Sequence, residues 1–117
     1  MRPEGRDTGY LWDMLDAARA IESFVQGLEF ASYADDRKAQ MAVERALEII
    51  GEAARRLSDT FKAAHPEIRW RSLIGQRNIL AHEYGEILVE RVWRVAIENV
   101  PELYKILDTL IPPLPGD

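Results

Sequence analysis

Every apolar stretch of this 117-residue chain keeps a helical rhythm. Hydrophobic residues return at steps of three and four, and nowhere does sustained two-residue alternation argue for a strand. From Tyr10 to about Gln26, Leu11, Leu15, Ala18, Ile21 and Val25 share a face while Asp13, Asp16, Arg19 and Glu22 take the others; Gly27 is placed to close this helix. A second and longest helix is expected from Ser32 or Asp35, whose side-chain oxygens can cap free amides, to about Leu57. Its expected inner stripe is Ala42, Ala46, Ile49, Ala53 and Leu57. Gly51 within it costs about 1 kcal/mol of helix propensity relative to alanine, so a closely packed neighbour is expected there.

Ser58 to His65 reads as a connecting turn or a single helical turn, and Pro66 suits the first turn of a third helix. That helix carries Ile68, Leu73, Ile74 and Leu80, is interrupted by Gly75, and meets a stop at Gly85 just beyond Tyr84. A fourth helix is expected from Ile87 to Leu110, with an apolar stripe running from Val89 through Trp93 and Ile97 to Leu107. Pro101 lacks an amide donor and crowds the preceding turn, which predicts a kink near Ile97 or a break. The proline-rich tail 111–117 is expected to fray. These segments make one all-α domain over 1–117, with a core at about 10–110, built as an up-and-down bundle of four to five helices.

Composition narrows the chemistry. There is no cysteine, which excludes disulfides, thiolate metal sites and a cysteine nucleophile and suits a reducing, cytoplasmic setting. The N-terminus lacks the apolar core of a secretory signal, and no apolar run approaches the roughly 20 residues that span a bilayer, so no membrane association is expected. Fifteen Lys plus Arg against twenty Asp plus Glu give a net charge of −5, which repels a polyanion at long range. Arg69, Arg71 and Arg77 nevertheless fall within nine positions, followed by Arg91 and Arg94. They form either a local basic cleft or ordinary solvated helix faces.

The densest chemical grouping is Arg77-Asn78-Ile79-Leu80-Ala81-His82-Glu83-Tyr84. An arginine can hold a phosphodiester with two donors, a histidine can move protons near neutral pH, and a phenol adds a donor beside developing charge. Five residues on an ideal helix rotate a side chain by roughly 140°, so Arg77 and His82 do not share a face. Two arrangements would bring them together: an unwound last turn ahead of Gly85, or two copies of the segment facing each other across a symmetric dimer. Alternatively, His82 is a helix-end histidine interacting with the dipole and Arg77 a surface ion-pair partner. No histidine–carboxylate set at metal-ligand spacing, glycine-rich phosphate loop or serine elbow is present, so no metal or cofactor is expected.

The stretch Pro66-Glu67-Ile68-Arg69-Trp70-Arg71-Ser72-Leu73-Ile74-Gly75-Gln76 leading into that grouping resembles the HEPN superfamily, and within it the HepT-like toxins. Arg77, His82 and Tyr84 fall on the three named positions of that group's Arg-x4-His-x-Tyr signature. The resemblance extends to Gly51-Glu52-Ala53 upstream and to Trp93 and Pro101 downstream, covering residues 10 to 108. It implies a dimerising helical bundle whose two signatures meet to form a metal-independent endoribonuclease site. The ribose 2′-hydroxyl would attack its own phosphate, with Arg77 steadying the transition state, His82 handling protons and Asn78 as polar helper. It also implies a toxin–antitoxin pairing with a small nucleotidyltransferase antitoxin that adds AMP to Tyr84, placing charge beside Arg77. A second reading, also implied by the resemblance, makes the chain a catalytically weak regulatory subunit of the nucleotidyltransferase.

Gly85-Glu86-Ile87 departs from the usual continuation after the tyrosine, and Glu83 and Glu86 would oppose RNA. Glu52 either points into the bundle to orient Arg77 or is a surface acid. Trp70 and Trp93 are expected to be structural anchors.

Overall fold

The computed structural model describes residues 5–82 and 85–111, all of them in helices or short connections and none in a strand. The order is α1 (Gly5–Val25), α2 (Phe30–Ala34), α3 (Arg37–Arg56), α4 (Asp59–Ala64), α5 (Trp70–His82) and α6 (Gly85–Arg94), then a π-helical turn (Val95–Asn99) and α7 (Val100–Leu110). Helix α1 lies against α3 and α7, and α3 carries α5 on its other side, so the all-α bundle has α3 at its centre.

The core is assembled from stripes that meet between these helices. Leu11, Met14, Leu15, Ala18 and Ile21 of α1 face Val43, Leu47, Ile50 and Ala54 of α3, and Leu103 and Leu107 of α7 close the far side. The inner stripe of α3 is therefore turned from the expected one. Ala46 and Ala53 are buried as anticipated, but Val43, Leu47 and Ile50 lead the packing while Ala42 and Ile49 are only half-buried. Larger side chains win the interior because each removes more apolar area from water.

The expected start at Ser32 falls in a separate short helix, α2, and α3 begins at Arg37, close to the alternative start at Asp35. Asp36, not Asp35, caps α3 by accepting from the Ala39 amide at 3.0 Å. The buried Gln40 amide donates to the Tyr33 and Ala34 carbonyls, each at 3.0 Å, taking up the free end of α2. Gly27, at φ +77, ends α1 as expected.

Pro66 does not begin a helix. It sits in the turn before α5, which starts four residues later at Trp70. The Trp70 indole donates to the Lys62 and His65 carbonyls at 3.1 and 2.9 Å, so a side chain of the new helix satisfies the end of α4 and fixes the break there. Trp93 packs on Tyr33 with ring centroids 5.0 Å apart. Both tryptophans are therefore anchors of the fold.

The C-terminal arm departs from regular α-helix where Pro101 predicts. The Val100 amide reaches back to the Val95 carbonyl, giving the π-helical turn Val95–Asn99 between α6 and α7. Tail residues 112–117 lie outside the described residues. Among the described residues no helix is long and apolar enough to cross a membrane.

Candidate functional site

Helix α5 carries three of the four residues singled out above. It runs without interruption from Trp70 to His82, so Arg77, Asn78 and His82 belong to one helix and no unwound turn separates them. That removes one of the two arrangements open at the level of sequence. On a continuous helix the positions of Arg77 and His82 stay roughly 140° apart. Asn78 is exposed. Tyr84, together with Glu83, lies outside the described residues.

Two contacts set how α5 is held. Its inner side packs Leu73 and Leu80 toward the core, and Gln76 is buried with them at 8% exposure. Where α5 crosses α3, a β-carbon built on Gly51 would stand 3.0 Å from the Leu73 carbonyl oxygen, so the close approach anticipated at Gly51 is made by the site helix itself.

Beside the C-terminal half of α5 runs an open groove of about 610 Å³, with Tyr10 and Asp13 of α1 on one wall, Arg45, Glu48, Glu52 and Arg56 of α3 on the other, and Leu80 and Ala81 of α5 at its end. Around the α5 axis, position 77 falls between positions 80 and 81, which puts the Arg77 backbone on the groove side of the helix. The position of His82 faces away from it. Positions 77 and 82 of one chain therefore fall on different sides of α5.

Glu52 lines this groove rather than the interior of the bundle. It accepts from Arg55 at 2.8 Å and from Arg56 at 2.9 Å, and these hydrogen bonds hold its carboxyl well below the usual range, at about 2. The site's neighbours on α1 and α3 left little trace in the sequence: Tyr10, Asp13 and Arg45 join the groove across a helix crossing, and only the small residues near Gly51 hinted that another helix would come close.

Among the described residues no group of three or more His, Asp or Glu is placed to hold a metal ion. What the helix offers is an arginine for a phosphate, a histidine for proton transfer and an amide side chain for hydrogen bonding, on a rigid element.

Comparison with known proteins identifies the surroundings of these residues. The family described as "Ribonuclease HepT-like" matches residues 14–110. The chain is 42% identical over 94 residues to the "Probable ribonuclease HepT" of Thermococcus cleftensis, covering 80% of this chain and 86% of that one. It is 34% identical over 96 residues to a Methanocaldococcus jannaschii protein carrying a provisional RNase name, covering 82% and 88%. A protein of Caldanaerobacter subterraneus subsp. tengcongensis, also provisionally named as an RNase, is 32% identical over 96 residues, covering 82% and 86%. No solved structure matches significantly. With the family match running from α1 to the end of α7, this chain belongs to the HepT-like ribonuclease family.

Proposed function

We propose that this protein is an endoribonuclease, the toxin of a toxin–antitoxin pair, acting as a homodimer on RNA with Arg77, Asn78, His82 and Tyr84 at its site. The observation that carries the reading is the family match, which includes the whole of α5 and with it Arg77 and His82. The relatives' names supply the activity, and the helix supplies the chemical groups it needs.

The opposed positions of Arg77 and His82 on one helix support the dimer. A two-fold axis near α5 would let the arginine of one protomer and the histidine of its partner line a shared cleft. In that cleft His82 takes the proton from a ribose 2′-hydroxyl as its oxygen attacks the adjacent phosphorus, while Arg77 stabilises the charge on the phosphate oxygens. The bond from phosphorus to the 5′-oxygen of the next nucleotide breaks, that oxygen leaves with the proton His82 took up, and a cyclic phosphate end remains. No metal is required for these steps.

A cognate minimal nucleotidyltransferase is the proposed antitoxin, adding AMP to Tyr84. The added phosphate would compete for the cation that holds the substrate.

The test is cleavage of a labelled structured RNA, with a chelator present, by protein expressed without its partner and verified as unmodified by intact mass. Native protein should cut, and His82→Ala, still dimeric, should cut at least roughly 100-fold more slowly. Absence of cleavage by native, unmodified dimer would overturn the nuclease reading and assign the chain as a regulatory partner of the nucleotidyltransferase.

A further inference from the structure

The outward side of α5 has a role that the proposed chemistry leaves open. Successive helical residues turn by about 100°, so Arg71, Gly75, Asn78 and His82, at steps of four, three and four, lie along one ridge. The inner side is fixed independently by Leu73, Gln76 and Leu80, which stand across the axis from that ridge. Arg71 and Asn78 are exposed.

Charge sets this ridge apart in an acidic protein. No Asp or Glu occurs from Ile68 to His82. Elsewhere several arginines are held by carboxylates, Arg45 by Glu48, Arg55 and Arg56 by Glu52, Arg94 by Glu90, and Arg19 and Arg37 donate to Tyr104 and Gln40. Arg71 has no hydrogen bond or ion pair among the described residues.

Gly75 is the second, independent observation. A β-carbon there would meet nothing within 4 Å, and its φ is not positive, so neither packing nor backbone conformation within the chain calls for glycine in the middle of α5. Gly9, which also meets nothing, lies close to the start of α1, where a helix is weakly held anyway. At Gly75 the missing side chain bares the helix backbone between a cation and an amide, which is where glycine admits close approach of another backbone.

We propose that this ridge is the track for the sugar–phosphate backbone of single-stranded RNA. Arg71 holds a phosphate with its paired N–H donors, Gly75 lets the ribose–phosphate chain lie against the helix, and Asn78 bonds the next polar group on the way to His82. From Arg71 to His82 the ridge rises about 16 Å, against a rise of roughly 3.4 Å per nucleotide in a stacked strand, so it underlies more than one phosphate. The inference rests on the RNA-directed reading above. A second copy of the chain covering the whole ridge, rather than meeting only its His82 end as in the dimer proposed above, is the rival occupant, but among the described residues none of the exposed large hydrophobics lies on α5, and a polar, cationic ridge fits a polyanion better than a dimer core.

The experiment is fluorescence anisotropy of a labelled single-stranded RNA titrated with the full chain carrying His82→Ala, so that no strand is cut, with sizing alongside. In that background Arg71→Ala should weaken binding roughly 10-fold and lower the salt slope by about 1. Gly75→Ala should raise the melting temperature by about 4 °C through helix propensity while weakening RNA binding at least roughly 10-fold, a pairing that a merely structural glycine does not give. Unchanged affinity in the stabilised Gly75→Ala protein would overturn the proposal, as would loss of a dimer that accounts for weaker binding, or no RNA binding by the parent. Ridge-dependent binding by a protein that never cuts RNA would remove the nuclease reading and leave this one. Cleavage indifferent to both substitutions would do the reverse.

Discussion

Gly51 of α3 lies directly beneath Leu73 of α5, so close that a β-carbon at 51 would stand 3.0 Å from the Leu73 carbonyl oxygen. The obstructing atom belongs to helix backbone and cannot rotate away. Gly51→Ala would gain roughly 1 kcal/mol of helix propensity and lose more to overpacking, for a net destabilisation of about 1 kcal/mol. Relief of the contact must lift α5, so RNA cleavage should fall further than the loss of stability explains. Thermal denaturation and initial cleavage rates on the same preparation check both parts.

Asp7 ties the start of the chain to its middle. Its carboxylate is buried at 3% exposure, accepts from the Ser58 amide at 2.9 Å and from the Ser58 hydroxyl at 2.6 Å, and the same hydroxyl accepts from the Phe61 amide to cap α4. Asp7→Ala should cost about 2 kcal/mol and Ser58→Ala about 1 kcal/mol. Because they share one network, the double variant should lose less than both together, which urea denaturation of the four proteins would measure.

The Glu52 carboxyl, held at about 2 by its hydrogen bonds to Arg55 and Arg56, gives the native state a pH dependence of known sign. A carboxyl depressed from its ordinary 4.5 contributes stability that is complete above the unfolded value and is lost as pH falls from 4.5 toward 2. The group is exposed, so the effect is small and shrinks with salt. Glu52→Gln should lower the melting temperature slightly at neutral pH and converge with the native protein near pH 2, which flattens the acid limb between pH 4.5 and 2.

Tyr33 is fully buried against Trp93, and its hydroxyl has no hydrogen-bond partner among the described residues. Burial also pushes its ionisation above the ordinary range. Tyr33→Phe should therefore leave stability unchanged or raise it by up to about 1 kcal/mol, with no change in cleavage. A loss exceeding 1 kcal/mol in chemical denaturation would contradict this account of the hydroxyl.

The sequence already spelled out the helices and the site helix, for physical reasons that also explain what it hid. Pro101 could be tied to a break in the regular helix because a missing amide acts locally, on the turn that precedes it. The break at Pro66 depended instead on the Trp70 indole finding the Lys62 and His65 carbonyls, and no local pattern reports such a contact. On α3 alanines fit several faces equally, so a stripe through Ala42 and Ile49 read as well as the true one through Val43 and Ile50. Arg77, Asn78 and His82 stood out by their chemistry. The groove beside them joins residues such as Tyr10 and Arg45 that only tertiary packing makes neighbours.

The π-helical turn has a consequence for how this chain tolerates change in length. It accommodates one more residue than an α-helical turn would, so α7 emerges about 100° out of phase with α6. Before the turn Val92 is buried where α6 meets α2 and α3; after it Leu103 and Leu107 face α1. Removing a single residue between Val95 and Asn99 would mend the backbone ladder locally and swing both leucines off α1. A deletion that makes the helix more regular would thus unfasten the bundle, and the irregular turn is what keeps two halves of one arm in register with different neighbours.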